Sequence, residues 1–175
     1  MAIKKLASKY AVVELNNIAG VRTGEIVSQY ELDAPQIENG MLVVANHVKE
    51  KVELPKAETD LVHLHASVEK LYNGEGRNEF VVKKGSFLPR CYKLVHGDTF
   101  ETNAVIYDDA TYANMEAIIA GITETTGFGV PDATGYIKLV QDNPVGAKLA
   151  IKAVKVVTLP NGETGIKFRV INGVA

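Results

Sequence analysis

The chain has 175 residues, enough for one domain with a buried core, and 46% of them are hydrophobic against 23% charged. A formal net charge of −2 gives none of the concentrated basic surface that phosphate backbones require, so nucleic acid is not an expected partner. The single cysteine, Cys91, cannot close an internal disulfide or complete a paired-thiol zinc or redox motif, and is expected to be a buried structural residue.

The start, "MAIKKLASKYAVVEL", is basic but lacks the apolar run and small-residue cleavage site of a signal peptide. No window reaches the length needed to span a bilayer, so no membrane association is expected and the chain is expected to be soluble in the cytoplasm where it is made. Residues 1–9 carry Lys4, Lys5 and Lys9 with little pattern, and read either as a floppy terminus or as an extended N-terminal arm that docks. Residues 10–175 read as a single β-rich domain, with a small lobe at 109–150 left open.

From residue 10 onward the dominant pattern is period two, punctuated by glycine and asparagine. Candidate strands in chain order are "YAVVELN", "GEIVSQYEL", "GMLVVAN", "DLVHLHASVEKLY", "NEFVVKK", "CYKLVHG", "DTFETNAVIY", "GYIKLVQ", "AKLAIKAVKVVTL" and "TGIKFRVIN". Turn signals separate them at Asn39-Gly40, Asn73-Gly74, His96-Gly97-Asp98 and Pro160-Asn161-Gly162-Glu163. The last predicts a tight hairpin, since Asn-Gly tolerates positive φ and alternating strands flank it.

One helix is expected, over "DATYANMEAIIAG" near 109–120. Asp109 would be its N-cap, Tyr112, Met115 and Ile119 its apolar face, and Gly121 its end. "TETTGFGVPDATG", 123–135, reads as an exposed loop. Many short strands with at most one short helix predict an all-β fold, mainly an antiparallel sandwich or barrel.

Chemistry is best sought in "HLHASVEKLYNGEG", residues 63–76. Its His63, His65, Glu69 and Gly76 resemble the first metal-binding motif of the cupin β-barrels. On a strand His63 and His65 share a face, and Glu69 has the same parity. The motif's leading glycine is replaced by Ala57. The second cupin motif has no counterpart either: Pro89 and His96 have the wrong spacing, and no glycine lies two residues after the proline. The competing reading is a solvated strand face carrying His63 and His65 opposite Val62, Leu64 and Ala66. No nucleophile elbow or phosphate loop is present, and Asp108-Asp109 fits a chain turn that caps the following helix. No catalytic residue, cofactor site or metal site is therefore assigned.

Residues 39–105 carry a different likeness. The "NGMLV" turn and strand, Arg90-x-Tyr92-x-Leu94, Gly97-Asp98-x-Phe100 with Thr102-Asn103 after it, and a C-terminal hairpin ending in "KFRVI" resemble the capsid decoration, or cement, proteins of tailed bacteriophages. The likeness covers about two thirds of the chain, and its motifs are turn and packing signatures; 109–150 matches nothing in it. It implies a non-enzymatic virion protein on the capsid exterior, with the phage major capsid protein and neighbouring copies of itself as partners. The alternatives are a cupin-like metalloenzyme using His63, His65 and Glu69, and another phage part such as a head fibre or tail component.

Overall fold

The computed structural model describes residues 2–58, 60–67, 77–144, 146 and 148–172. In chain order its strands are β1 (Ile3–Lys5), β2 (Val13–Asn17), β3 (Ile26–Val27), β4 (Glu31–Leu32), β5 (Gln36–Ile37), β6 (Leu42–Asn46), β7 (Lys51–Glu53), β8 (His63–His65), β9 (Val82–Lys83), β10 (Cys91–Lys93), β11 (Thr99–Thr102), β12 (Val105–Asp108), β13 (Phe128–Pro131), β14 (Ile137–Val140), β15 (Ala150–Thr158) and β16 (Thr164–Asn172). Two short helices, α1 (Ala19–Thr23) and α2 (Met115–Gly121), complete the regular structure with a 3₁₀ turn at Arg77–Glu79. The fold class is all-β, as the period-two pattern predicted.

An eight-stranded sheet runs in the order β1-β12-β14-β13-β15-β16-β11-β2. Its pairings are antiparallel except β12 with β14. The order requires the sheet to curl. β11 and β12 are joined only by Asn103 and Ala104, a link reaching about 10 Å. In a flat sheet they would stand five strand spacings apart, about 24 Å. The sheet therefore bends into an open barrel, and residues 6–12 connect its two edge strands, β1 and β2. Inside lie Phe100, Val105, Ile137, Ile151, Ile166 and Phe168, with the rings of the cross-strand pair Phe100 and Phe168 5.8 Å apart.

A second sheet, β3-β10-β8-β6-β7-β4, packs against this core through Leu42, Leu64 and Tyr92. Its other face builds a second core from Val43, Ala45 and Cys91 with Tyr30, Leu32, Ile37, Phe80, Val82 and Tyr136. The central strands β6, β8 and β10 are covered on both faces.

Several expectations change. "GEIVSQYEL" is not one strand: β3 and β4 lie at opposite edges of the second sheet, and the link 28–30 between them is too short to span six flat strands, about 24 Å, so this sheet curls as well. "DTFETNAVIY" divides likewise at Asn103-Ala104. The helix begins at Met115 rather than 109, and its N-cap is Asn114, whose side chain accepts from Ala117 N at 2.9 Å. Asp109 is instead tied to the chain start, accepting Ala2 N on Oδ1 at 3.1 Å. Ile118 faces the core while Ile119 is 53% exposed, and Tyr112 is buried ahead of the helix. α1 was not anticipated: its side-chain cap comes from Asp98, 79 residues away, which accepts Ala19 N at 2.8 Å.

The predicted loop 123–135 contains buried strand β13. Gly129 permits this, because a Cβ there would lie 2.5 Å from Ile137 Cγ2 and 2.9 Å from Ile151 Cγ1. The segment 109–150 supplies β13 and β14 to the interior of the eight-stranded sheet. At the start of the chain, β1 runs along β12 with its side chains exposed. The Asn-Gly hairpin forms over 150–172, with Leu159 N donating to Glu163 O at 2.8 Å and Gly162 at φ 82°.

Candidate functional site: the buried histidine pair and its carboxylate frame

His63 and His65 share a face of β8, as their spacing requires, but that face is not solvated. β8 lies between β6 and β10, and the second core covers it, so His63 is 6% exposed and His65 fully buried. Val62, Leu64 and Ala66 on the opposite side are buried as well. Strict alternation indicated one wet face; the tertiary fold covers both.

Both ring nitrogens of His65 are engaged. Nδ1 lies 2.8 Å from the carbonyl oxygen of Glu38, which can only accept, so Nδ1 carries the proton. Nε2, 2.6 Å from Ser67 Oγ, then accepts the serine hydroxyl proton, and the same oxygen accepts Arg90 N at 3.0 Å. Burial pushes the imidazole down to about 4, against the opposing pull of its hydrogen bond to Glu38. His65 is thus a neutral ring that joins the β5–β6 link to the end of β8, and it keeps no free lone pair for a metal ion.

His63 differs. Its Nδ1 is buried without a hydrogen-bond partner. Burial, and then the nearby charges of His47 and Lys93, push its pKa down to about 4. His47 itself meets the Tyr30 hydroxyl through Nδ1 at 2.8 Å, with the rings edge to face. Glu69, the third residue of the metal pattern, and the Asn73-Gly74 turn lie outside the described residues. Among the described residues, no three His, Cys, Asp or Glu side chains converge as metal ligands would.

The polar groups that do converge were not legible in the sequence. Glu38 is 3% exposed, and its Oε2 accepts Ala11 N at 2.8 Å and the Tyr136 hydroxyl at 2.6 Å. Lys5 Nζ donates to that hydroxyl at 2.9 Å and lies 4.3 Å from the centre of the ring. Burial and then the Glu38 side chain raise the Tyr136 phenol well above its ordinary value. A second carboxylate, Glu163 in the hairpin turn, accepts from Ser8 Oγ, from Asn78 Nδ2 at 3.0 Å, from Asn103 Nδ2 at 2.6 Å and from Asn161 Nδ2 at 3.2 Å. Burial alone would raise its pKa; the four hydrogen bonds outweigh this and hold it below the usual carboxylate value.

Cys91 faces the second core, and burial pushes its thiol up to about 12. A thiol so far from ionisation is a packing group, not a nucleophile.

The residues of 39–105 that carried the likeness to decoration proteins occupy the joints of this frame. Gly40 has φ 85°, and a Cβ there would lie 2.0 Å from Thr102 Oγ1. Thr102 Oγ1 donates to Val12 O at 2.7 Å and accepts Ala104 N at 3.0 Å. Asn103 Oδ1 accepts Val12 N at 2.6 Å, and Asp98 closes the 95–98 turn by accepting Val95 N at 2.9 Å. Arg90 lies over the ring of Tyr92, 5.9 Å from its centre.

These groups are arranged to hold strands together, with hydrogen bonds running among themselves. No helix among the described residues is long and apolar enough to cross a membrane. Comparison with protein-family models, with curated proteins and with solved structures finds no match to this chain.

Proposed function

We propose that this chain is a non-enzymatic structural protein of a tailed-phage virion, one that binds the outer surface of the head and stabilises the capsid. The supporting observation is where the resemblance-bearing residues sit. Gly40, Asp98, Thr102 and Asn103 form the turns and cross-links that fix the β11–β12 joint and tie the N-terminal segment to it. A likeness confined to scaffold joints suits a protein whose work is to present a rigid surface. In this reading His63 and His65 are core residues, and the partners are the phage major capsid protein and neighbouring copies of the chain.

The physical basis is linkage. A protein that binds the assembled shell and not its dissociated subunits stabilises the shell by about 2.7 kcal/mol per site at a hundredfold excess over its dissociation constant. The test compares phage particles with and without the protein for heat release of DNA, and locates it on intact particles by electron microscopy. Head-exterior density and a higher release temperature are expected. Equal release temperatures with no binding to shells would overturn the reading, and density on a fibre or the tail would move the protein to another virion part.

A further inference from the structure

A cleft of about 440 Å³ between β2, α1 and β10 is lined by two arginines from distant segments, Arg22 of α1 and Arg90 just before β10. Gly20 lets them share it. A Cβ there would lie 3.1 Å from Lys93 O, so only glycine allows α1 to press on the β10 backbone. Lys93 N then donates to Glu25 O at 3.2 Å, and the Lys93 ammonium pairs with the Glu25 carboxylate at 2.8 Å.

Neutral groups hold both guanidiniums. Arg22 Nη1 donates to Asn17 Oδ1, and Arg90 lies over the Tyr92 ring. Among the described residues neither pairs with a carboxylate. The carboxylates bordering these elements are engaged elsewhere: Glu25 with Lys93, Glu101 with Lys167 and Asn16 Nδ2, and Asp98 with the amides of Ala19 and Val95.

No Asp or Glu lines the cleft. The clefts beside Phe87, Pro55 and Val154 each combine lysine with a carboxylate, at Glu31, Glu53 and Glu124. Here two positive charges face one concave surface without a counter-charge, in a chain whose net charge is −2. Such a surface concentrates anions. Each guanidinium keeps N–H groups in the fork geometry that carboxylate and phosphate oxygens match in pairs. Leu15, Ile18 and half-exposed Val21 add an apolar wall, which an inorganic ion would leave unused.

We infer that this cleft binds a small organic anion, a carboxylate or phosphate group carried on an apolar body. The oxyanion sits between Arg22 and Arg90, and the body rests against Leu15, Ile18 and Val21. The site is independent of the capsid reading, because it requires only this chain.

Calorimetric titration of the full chain at low ionic strength, where screening is weak, tests it with phenyl phosphate, phthalate and inorganic phosphate as probes. At least one organic probe is expected to bind with a dissociation constant below about 1 mM, more tightly than inorganic phosphate. Arg22→Gln and Arg90→Gln should each weaken that binding at least about tenfold. Both side chains are exposed, so neither change opens the core. Lys155→Gln, at an exposed cation of β15 outside the cleft, should change it less than about twofold. Backbone amide resonances of residues 15–22 and 90–92 should shift together during the titration. No binding of either organic probe up to about 10 mM overturns the inference. So does binding that Lys155→Gln weakens as much as Arg22→Gln, or inorganic phosphate binding as tightly as both organic probes.

Discussion

The Tyr136 hydroxyl donates to Glu38 Oε2 at 2.6 Å, joining residues 98 apart in the chain, one beside β14 and the other in the β5–β6 link. The same oxygen accepts Ala11 N, so a single buried carboxylate ties the N-terminal segment, the second sheet and the barrel together. Tyr136→Phe removes the donor and leaves that carboxylate with the Ala11 amide as its remaining partner. A loss of about 1–3 kcal/mol is expected in urea unfolding. Lys5→Met, at the exposed end of the same chain of contacts, is expected to cost less than about 1 kcal/mol. Equal costs for the two would show that burial of the carboxylate is not what matters.

Both histidines of β8 have pKa values near 4 in the fold, below the ordinary 6.5. A base with a depressed folded pKa is protonated more readily when unfolded. Its stabilising contribution is therefore fully present above pH 6.5 and declines as pH falls from there toward 4. The decline amounts to on the order of 3 kcal/mol per imidazole. Urea midpoints measured across pH 7 to 4 should fall steeply. His63→Leu should flatten part of that slope and leave stability at pH 7 equal or higher, since it removes a buried nitrogen with no partner. An unchanged slope in this variant would contradict the burial of a neutral His63.

Cys91 is fully buried, with its thiol pushed up to about 12. Under native conditions at neutral pH a disulfide-exchange reagent should find no reactive thiol, and one equivalent should appear after unfolding in guanidinium. Rapid native labelling would mean that the second core opens.

Gly40→Ala places a side chain at φ 85° and against Thr102 Oγ1. Both the backbone and the clash oppose it, so a loss above about 2 kcal/mol, or failure to fold, is expected. The contrasting change is Gly85→Ala, also at positive φ but with open space around the added carbon. It should cost about 1 kcal/mol, the backbone penalty alone. Thermal melts of the two variants separate the terms, and equal melting points would remove the Thr102 contact from the account.

Local signals were sufficient wherever the determining partner is local. The Asn161-Gly162 turn has its two strands on either side, so the hairpin could be read directly, whereas the register shifts at Ala150/Ile151 and Ala153/Lys155 that offset its faces could not. The all-β class followed from the period-two alternation. The helix near 115 was legible in existence but not in its start. Asn114 and Asp109 are equally good caps by residue type; in the fold the chain turns at 108–112, Asp109 holds Ala2, and Asn114 caps the helix.

The sequence by itself determined period, turns and the shared face of His63 and His65. Tertiary structure alone decided that this face is dry. Period two states which side chains lie together and says nothing of what will cover them; that depended on Ile37, Phe80, Val82 and Tyr136 gathering with Val43 and Cys91 into the second core. The partners of Glu38 and Glu163 could not be read either. They come from segments up to 155 residues away, brought together by the curl of the eight-stranded sheet. Hydrogen bonds between distant segments leave no spacing pattern in the chain, because their geometry exists only after the two-residue link at Asn103-Ala104 has folded the sheet upon itself.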